Sequence, residues 1–174
     1  VTTSSGVAVV ADHYWQAVKA RQKVKVVWDA GSNAQLDSAA ILKGLATAKG
    51  TSQSARADGD AASAIKEAKK VVTSTYQLPL LAHATMEPMN CTADYQKDHC
   101  DVYVGTQVQL MAQSAVAQAV GLKPEQVNIH TTFLGGGFGR RLEVDFIPAA
   151  AEASKALGVP VKVIWTREDD MTCL

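Results

Sequence analysis

The 174-residue chain has no run of about 18 apolar residues, and no basic segment leads into an apolar core at its N-terminus. Neither a spanning helix nor a secretory signal is therefore expected; the chain is taken as soluble, and bacterial cytoplasm and periplasm both stay open as its compartment. Cysteine is scarce. Cys91, Cys100 and Cys173 are too few for a disulfide scaffold and show no C-x-x-C spacing. A Cys91–Cys100 bridge across a hairpin and a pair of reduced thiols both remain open. Charge of one sign is missing too: Lys+Arg and Asp+Glu number 17 each, so no bulk field favours nucleic acid or an anionic membrane. No G-x-S-x-G elbow and no activated-thiol motif are present, which disfavours a covalent nucleophile. No internal repeat is visible.

With 47% apolar and 20% charged residues, the composition suits one compact domain or two small ones. Gly6 to Ala11 is a valine-rich run, Asp12 a candidate N-cap, and Tyr14, Trp15 and Val18 recur at helical spacing. A strand over Val24–Trp28 would complete a β-α-β unit. Leu36, Ala39, Ala40, Leu42 and Leu45 mark a second helix, Gly50 to Gly59 has the polarity of a linker, and Asp60 caps a short helix through Lys70. Strands are then expected over Val71–Tyr76, Ala84–Thr92 and Asp101–Gly105. A helix follows over Gln107–Val120, closed by Gly121. Next come a strand over Val127–Phe133, an alanine-rich helix over Val144–Leu157 and a strand over Val159–Trp165. The expected fold is α+β, or mixed α/β.

Between strand and helix lies Leu134-Gly135-Gly136-Gly137-Phe138-Gly139-Arg140-Arg141. Four glycines among five residues let main-chain N–H groups approach a bound group, and a following helix N-terminus with Arg140 and Arg141 would strengthen the attraction for an anion. The loop matches neither G-x-G-x-x-G nor the Walker pattern, so ordinary nucleotide loops are disfavoured. A tight turn packing a helix on a sheet is the structural alternative. Gln107 follows one strand as the loop follows another, and loops at the same ends of strands converge on one crevice, so Gln107 and Phe138 are candidates to share a site. Otherwise Thr106 caps the helix and Gln107 faces solvent. His83, Cys91, His99 and Cys100 crowd together, but their spacing fits no zinc pattern. Glu168-Asp169-Asp170 reads as a solvated turn rather than a cation site.

Three stretches together resemble one family: Leu81-Ala82-His83-Ala84-Thr85-Met86-Glu87-Pro88-Met89-Asn90-Cys91-Thr92, Gly105-Thr106-Gln107, and Gly135 to Arg141. They are similar to the molybdenum-cofactor-binding large subunit of the xanthine dehydrogenase and aldehyde oxidoreductase family, in particular its isoquinoline 1-oxidoreductase β-subunit branch. The resemblance implies residues 1–49 as the end of a hammerhead-like α/β domain, 50–70 as linker and short helix, and 71–174 as the first part of a molybdopterin-binding domain. It implies an oxidoreductase that hydroxylates a carbon of an aldehyde or N-heterocycle with water as oxygen source. The cofactor would be molybdenum–molybdopterin, in the cytosine dinucleotide form, and electrons would leave to iron–sulfur clusters on a separate small subunit, since no cluster pattern is present here. Gln107 matches the glutamine that hydrogen-bonds an oxygen ligand of molybdenum. Gly136, Gly137, Phe138, Gly139 and Arg140 match loop residues at the cofactor. Arg140 and Arg141 replace the glycine and lysine of xanthine dehydrogenases, and Leu142 stands where those place a substrate-binding glutamate, the acid coming next at Glu143. The catalytic base is a glutamate expected downstream of this chain, so the chain is expected to be an inactive fragment on its own. Set against this is a stand-alone anion- or nucleotide-binding module built on Gly135–Arg141, or a purely structural domain for subunit assembly.

Overall fold

Along Asn90–Tyr95 (β3), Cys91 and Ala93 are buried while their neighbours are only half-buried, and this period of two organises a four-stranded sheet. A computed structural model describes residues 1–173 and divides into two units: Val1–Val26 with residues 82–173, and Val27–Leu81.

In the first unit, a hairpin of Thr2–Thr3 (β1) and Gly6–Val7 (β2) precedes Tyr14–Arg21 (α1). The cap of α1 is His13, which exchanges bonds with Gln16, rather than the expected Asp12. Outward contacts fix this N-terminal piece. Arg21 grips both oxygens of Asp169 at 2.8 and 2.6 Å, and the Ser4 N–H donates to Glu152 Oε2 at 2.9 Å.

β3 turns into Cys100–Val104 (β4) as an antiparallel hairpin, with Ala93 opposite Val102. Gln109–Val120 (α4) then crosses back so that Val127–Thr131 (β5) lies parallel to β4, and Val161–Ile164 (β6) pairs antiparallel with β3, giving the order β5-β4-β3-β6. Alternate strand residues Cys91, Ala93, Cys100, Val102, Val104, Val127 and Val161 form one buried face. Against it pack α4, through Ala112, Val116, Ala117 and Val120, and Pro148–Leu157 (α5), through Ala149, Ala150, Ala151 and Ala153. Alanines bring the α5 backbone close to β3 and leave Phe146 and Ile147 to fill the end of the core. Buried Ser154 is satisfied within this packing, accepting from Tyr95 N–H and donating to Val159 O. Both helices end on glycines in the left-handed region, Gly121 at φ 74° and Gly158 at φ 69°.

The second unit holds Ser38–Thr47 (α2) and Ala61–Glu67 (α3), capped by Asp37 and Asp60 through bonds from Ala40 and Ser63 N–H. None of its residues is buried. Among the described residues no helix is long and apolar enough to cross a membrane.

The α+β class holds, but several elements differ from expectation. Val24–Trp28 and Val71–Tyr76 are not strands; β-branched residues favour a strand only where a partner edge exists, and Val27 and Val72 stand 98% and 77% exposed. No β-α-β unit therefore forms in residues 6–28. The strand expected from Ala84 starts at Asn90, because Ala84 has φ 49° and Pro88 lacks an N–H for the ladder. α5 begins at Pro148, four residues later than expected, so what adjoins the glycine loop is a single 3-10 turn over Arg140–Leu142 rather than an α-helix N-terminus. The acidic run is not a loose turn: it opens Arg167–Thr172 (α6), where Thr166 and Asp169 cap reciprocally. The Cys91–Cys100 bridge is excluded. Cys91 faces Val104 and Cys100 faces Tyr95, four ladder steps or roughly 13 Å along the strand, beyond the ~7 Å reach of a disulfide.

On the other face of the sheet, Asp101 ties β4 to β5. Its Oδ1 accepts from His130 Nε2 at 2.7 Å and Asn128 Nδ2 at 3.2 Å, while the His130 ring stacks on Tyr103 at 4.5 Å. His99 Nε2 stands 3.6 Å from the second oxygen. The bond from His130 leads in holding the Asp101 carboxyl below its usual range, and the bond to Asp98 leads in raising the His99 imidazole. A lowered acid stabilises above its unfolded pKa and loses that as pH falls; a raised histidine stabilises below its unfolded pKa and loses that as pH rises. Both contributions coexist between about pH 4 and 6.5. The melting temperature of Asp101→Asn is therefore expected to lie a few degrees below wild type from about pH 5 upward, with the gap closing as pH falls into the acid range; a gap that is flat with pH would refute the linkage.

Candidate functional site

Three chain segments leave the same end of the sheet and are clasped by one side chain. β4 runs out into Gly105-Thr106-Gln107, β5 into Phe133 and the glycine loop, and Thr85-Met86-Glu87 leads into β3. Arg141, fully buried, reaches all three: Nε donates to Gly136 O at 2.8 Å, Nη1 to Gly105 O at 3.1 Å, and Nη2 to Glu87 O and Oε2 at 3.1 and 2.6 Å. Its carbonyl oxygen in turn accepts from Gln107 N–H at 3.0 Å and Thr106 Oγ1 at 3.3 Å. Glu87 completes the clasp by accepting from Gly135 N–H at 2.8 Å and donating its own N–H to Gly135 O at 3.0 Å. A methyl group on Gly135 would overlap the Glu87 side chain, so glycine is required there by this close approach.

Burial pushes the Glu87 carboxyl up, but Asn90, the Gly135 N–H and the Arg141 cation outweigh it and hold it below the usual range. Burial lowers Arg141, against the upward pull of Glu87 and Asp170. The adjacent Arg140 is equally inward. It grips Asp145 with two bonds of 2.9 and 3.0 Å, lies over Phe146 and Trp165, and brings Nε to 3.7 Å from buried Asp170 Oδ1. Asp170 is held from the other side by Arg167 at 2.8 Å. The expectation that both arginines present charge at the loop is thus corrected: their guanidinium groups build its floor. Local sequence hides this, because the acids that draw them inward sit at positions 87, 145 and 170.

Above that floor the loop is open. Gly136 and Gly139 have φ of 98° and 97°, and Phe138, at φ 54°, holds the left-handed region at a cost of about 1–3 kcal/mol while exposing its ring. Among the described residues, the main-chain N–H groups of Gly136, Gly137, Phe138 and Gly139 donate to no acceptor. Gln107 is exposed and lies over Gly137, where a methyl group would sit 2.7 Å from its Oε1. Gln107 and the loop therefore meet, as convergence of the two strand ends requires. Thr106 does not cap α4 directly: its hydroxyl accepts from Val108 N–H, and α4 starts two residues beyond Gln107. A row of free donors beside an uncommitted amide fits a group rich in oxygen acceptors, such as the oxygens around a molybdenum–pterin centre. It supplies no charged ligand for a bare cation. Among the described residues no group of three or more His, Cys, Asp and Glu side chains is placed to hold a metal ion. Burial raises the Cys91 thiol and pushes Cys100 up to about 11, so both behave as core residues.

The family model of the molybdopterin cofactor-binding domain matches residues 45–173. A membrane-bound aldehyde dehydrogenase [pyrroloquinoline-quinone] of Gluconacetobacter polyoxogenes is 34% identical over 95% of this chain and 22% of its own. The β subunit of isoquinoline 1-oxidoreductase of Brevundimonas diminuta is 40% identical over 55% of this chain and 12% of its own. The crystal structure of quinoline 2-oxidoreductase from Pseudomonas putida 86 shares the fold, with a TM-score of 0.57 at 21% identity over 64% of this chain and 14% of that one. The chain thus spans about a fifth or less of the length of these relatives.

Proposed function

The chain belongs to the molybdopterin cofactor-binding domain family, and on that premise we propose that Gln107 and the Gly135–Gly139 loop hold the molybdenum end of the cofactor. The observation that carries this is the Gln107 amide standing over Gly137 beside four main-chain N–H groups that, among the described residues, have no acceptor. Within residues 71–174, taken as the first part of the cofactor domain, each residue has a separable task. The amide of Gln107 donates to an oxygen on the cofactor without competing as a charged ligand. Gly136, Gly137 and Gly139 keep the N–H row accessible, and the exposed Phe138 ring lies beside Gly136, where it is free to pack on a bound group. Arg140 and Arg141 act beneath, holding the loop in place. When bound, the cofactor supplies the two-electron redox chemistry, which the protein orients.

For the whole protein we extend the reading to oxidation of an aldehyde or N-heterocycle carbon with water as oxygen source. The cofactor would take the cytosine dinucleotide form, electrons would pass to iron–sulfur clusters on a small partner subunit, and a glutamate outside this chain would act as base. Supporting this are the names of the relatives, one an aldehyde dehydrogenase and one an isoquinoline oxidoreductase.

The test is to purify the whole protein with its partner subunits and measure molybdenum, released pterin and pyrroloquinoline quinone, the last because it stands in one relative's name. Molybdenum with pterin at near one per protein is expected, and Gln107→Ala should lower turnover of aldehyde or heterocycle about 10-fold or more. Quinone without molybdenum, or a Gln107→Ala enzyme as active as wild type, would overturn the reading.

A further inference from the structure

The glycine loop has two flanks, and the proposed function uses only the Gln107 side. At the other flank stands His83, with Nε2 3.5 Å and Cδ2 3.7 Å from the point where a methyl group on Gly139 would sit. These distances are ordinary van der Waals contact, so the ring stands directly against the loop, while the φ of 97° is what requires glycine at position 139. His83 is exposed, and among the described residues its ring has no hydrogen-bond or ion-pair partner. His99 and His130 differ in this respect, since each is engaged by an aspartate.

The backbone that carries His83 is nonetheless pinned. Thr85, fully buried, donates its hydroxyl to Glu87 O at 2.7 Å, Arg167 donates to the carbonyls of Thr85 and Met86, and Glu87 N–H bonds to Gly135 O. This strap ties the stretch after His83 to the loop itself. A free imidazole is thus presented from a fixed backbone beside Gly139, while a free amide is presented beside Gly137, with the unbonded N–H groups of Gly136 to Gly139 between them. Such an arrangement is preorganised for a ligand and has no internal bond to lose when the ring is removed.

We propose that His83 is a second side-chain contact for the bound cofactor, its imidazole hydrogen-bonding an oxygen or nitrogen of the molybdopterin across the loop from Gln107. This rests on the cofactor reading above and adds to it a residue with a separate signature. The ring can donate from either nitrogen in the neutral state and accept at the other. It therefore suits the mixed donor and acceptor edge of a pterin or the oxygens of its phosphate, which a glutamine at the same place would partly reproduce.

The experiment compares wild type, His83→Ala, His83→Gln and Gln107→Ala, each purified as the whole protein with its partner subunits. Molybdenum and pterin per chain, the rate of pterin loss on dialysis and the melting temperature of the cofactor-free form are measured. His83→Ala is expected to lose cofactor about 10-fold faster, His83→Gln to recover much of that loss, and the cofactor-free melting temperature to stay at the wild-type value. An unchanged loss rate in His83→Ala, a loss not recovered by Gln, or a lowered cofactor-free melting temperature would overturn the assignment. A wild type without molybdenum or pterin would instead overturn the cofactor reading itself, whereas loss in Gln107→Ala with none in His83→Ala would remove His83 alone.

Discussion

Arg141→Met is expected to destabilise the unit that carries the sheet by about 3–5 kcal/mol, the range for removing one partner of a buried ionic group. The substitution keeps much of the side-chain volume, so the loss comes from polar contacts rather than from a cavity. Gly136 O and Gly105 O lose their donor, while Glu87 O and Glu87 Oε2 lose one of two, keeping the Thr85 hydroxyl and the Gly135 N–H. Glu87 is 37% exposed and partly rehydrates, whereas Gly105 is buried and its carbonyl has no water to turn to. Arg141→Lys should recover little of this, because a single ammonium cannot span the Gly105, Gly136 and Glu87 positions that the planar fork reaches together. Thermal melts of the whole protein provide the measurement, and a decrease below about 1 kcal/mol would show that the clasp is dispensable. The pH dependence gives a second check. Glu87 has a lowered carboxyl, so its stabilisation is present above its unfolded pKa and disappears as pH falls through the folded one. Wild type should lose that margin in acid, and Arg141→Met should lose less of it, since Asn90 and the Gly135 N–H still hold the carboxyl down while the cation is gone.

Gly137→Val is expected to do the opposite, emptying the proposed cofactor site while leaving the fold. Gly137 has no left-handed φ, so a β-branched residue avoids the strain of that region, and the atom it displaces is the far end of the exposed Gln107 side chain. Two methyl groups would take the place of the Gln107 amide and crowd the neighbouring N–H groups. Cofactor content or turnover should fall by 10–100-fold or more, roughly the range seen when a group orienting a metal centre is lost. The melting temperature of the cofactor-free form should change little. Full molybdenum loading in Gly137→Val would sink the proposed placement, since nothing holding oxygens against that row of amides tolerates a branched side chain there.

Local signals in the sequence carried well. Asp60 as a cap and Gly121 as a left-handed helix end depend only on neighbours in the chain, although the cap expected at Asp12 falls one residue later, at His13. The meeting of Gln107 with the glycine loop was also legible, because strand order in an α/β layer brings successive strand ends together. What stayed hidden depends on distant partners. Arg140 and Arg141 beside glycines look like anion ligands until Glu87, 54 residues from Arg141, and the buried Asp170 are placed; Asp145, five residues from Arg140, is the one local partner. The valines of Val24–Trp28 have strand propensity but no edge to join. His83 gave no signal of its own, since its value comes from standing against Gly139 across a folded strap.

The contacts of the N-terminal piece have one consequence for how the molecule assembles. Arg21–Asp169 and Ser4–Glu152 each join residues 148 positions apart, and α1 buries none of its residues. Closing so long a loop carries a large entropic penalty, and exposed pairs return little against it until the sheet they rest on exists. The first twenty-odd residues are therefore the last to dock and the first to detach, so a protease acting on the native protein should clip there while β3 to β6 are still intact.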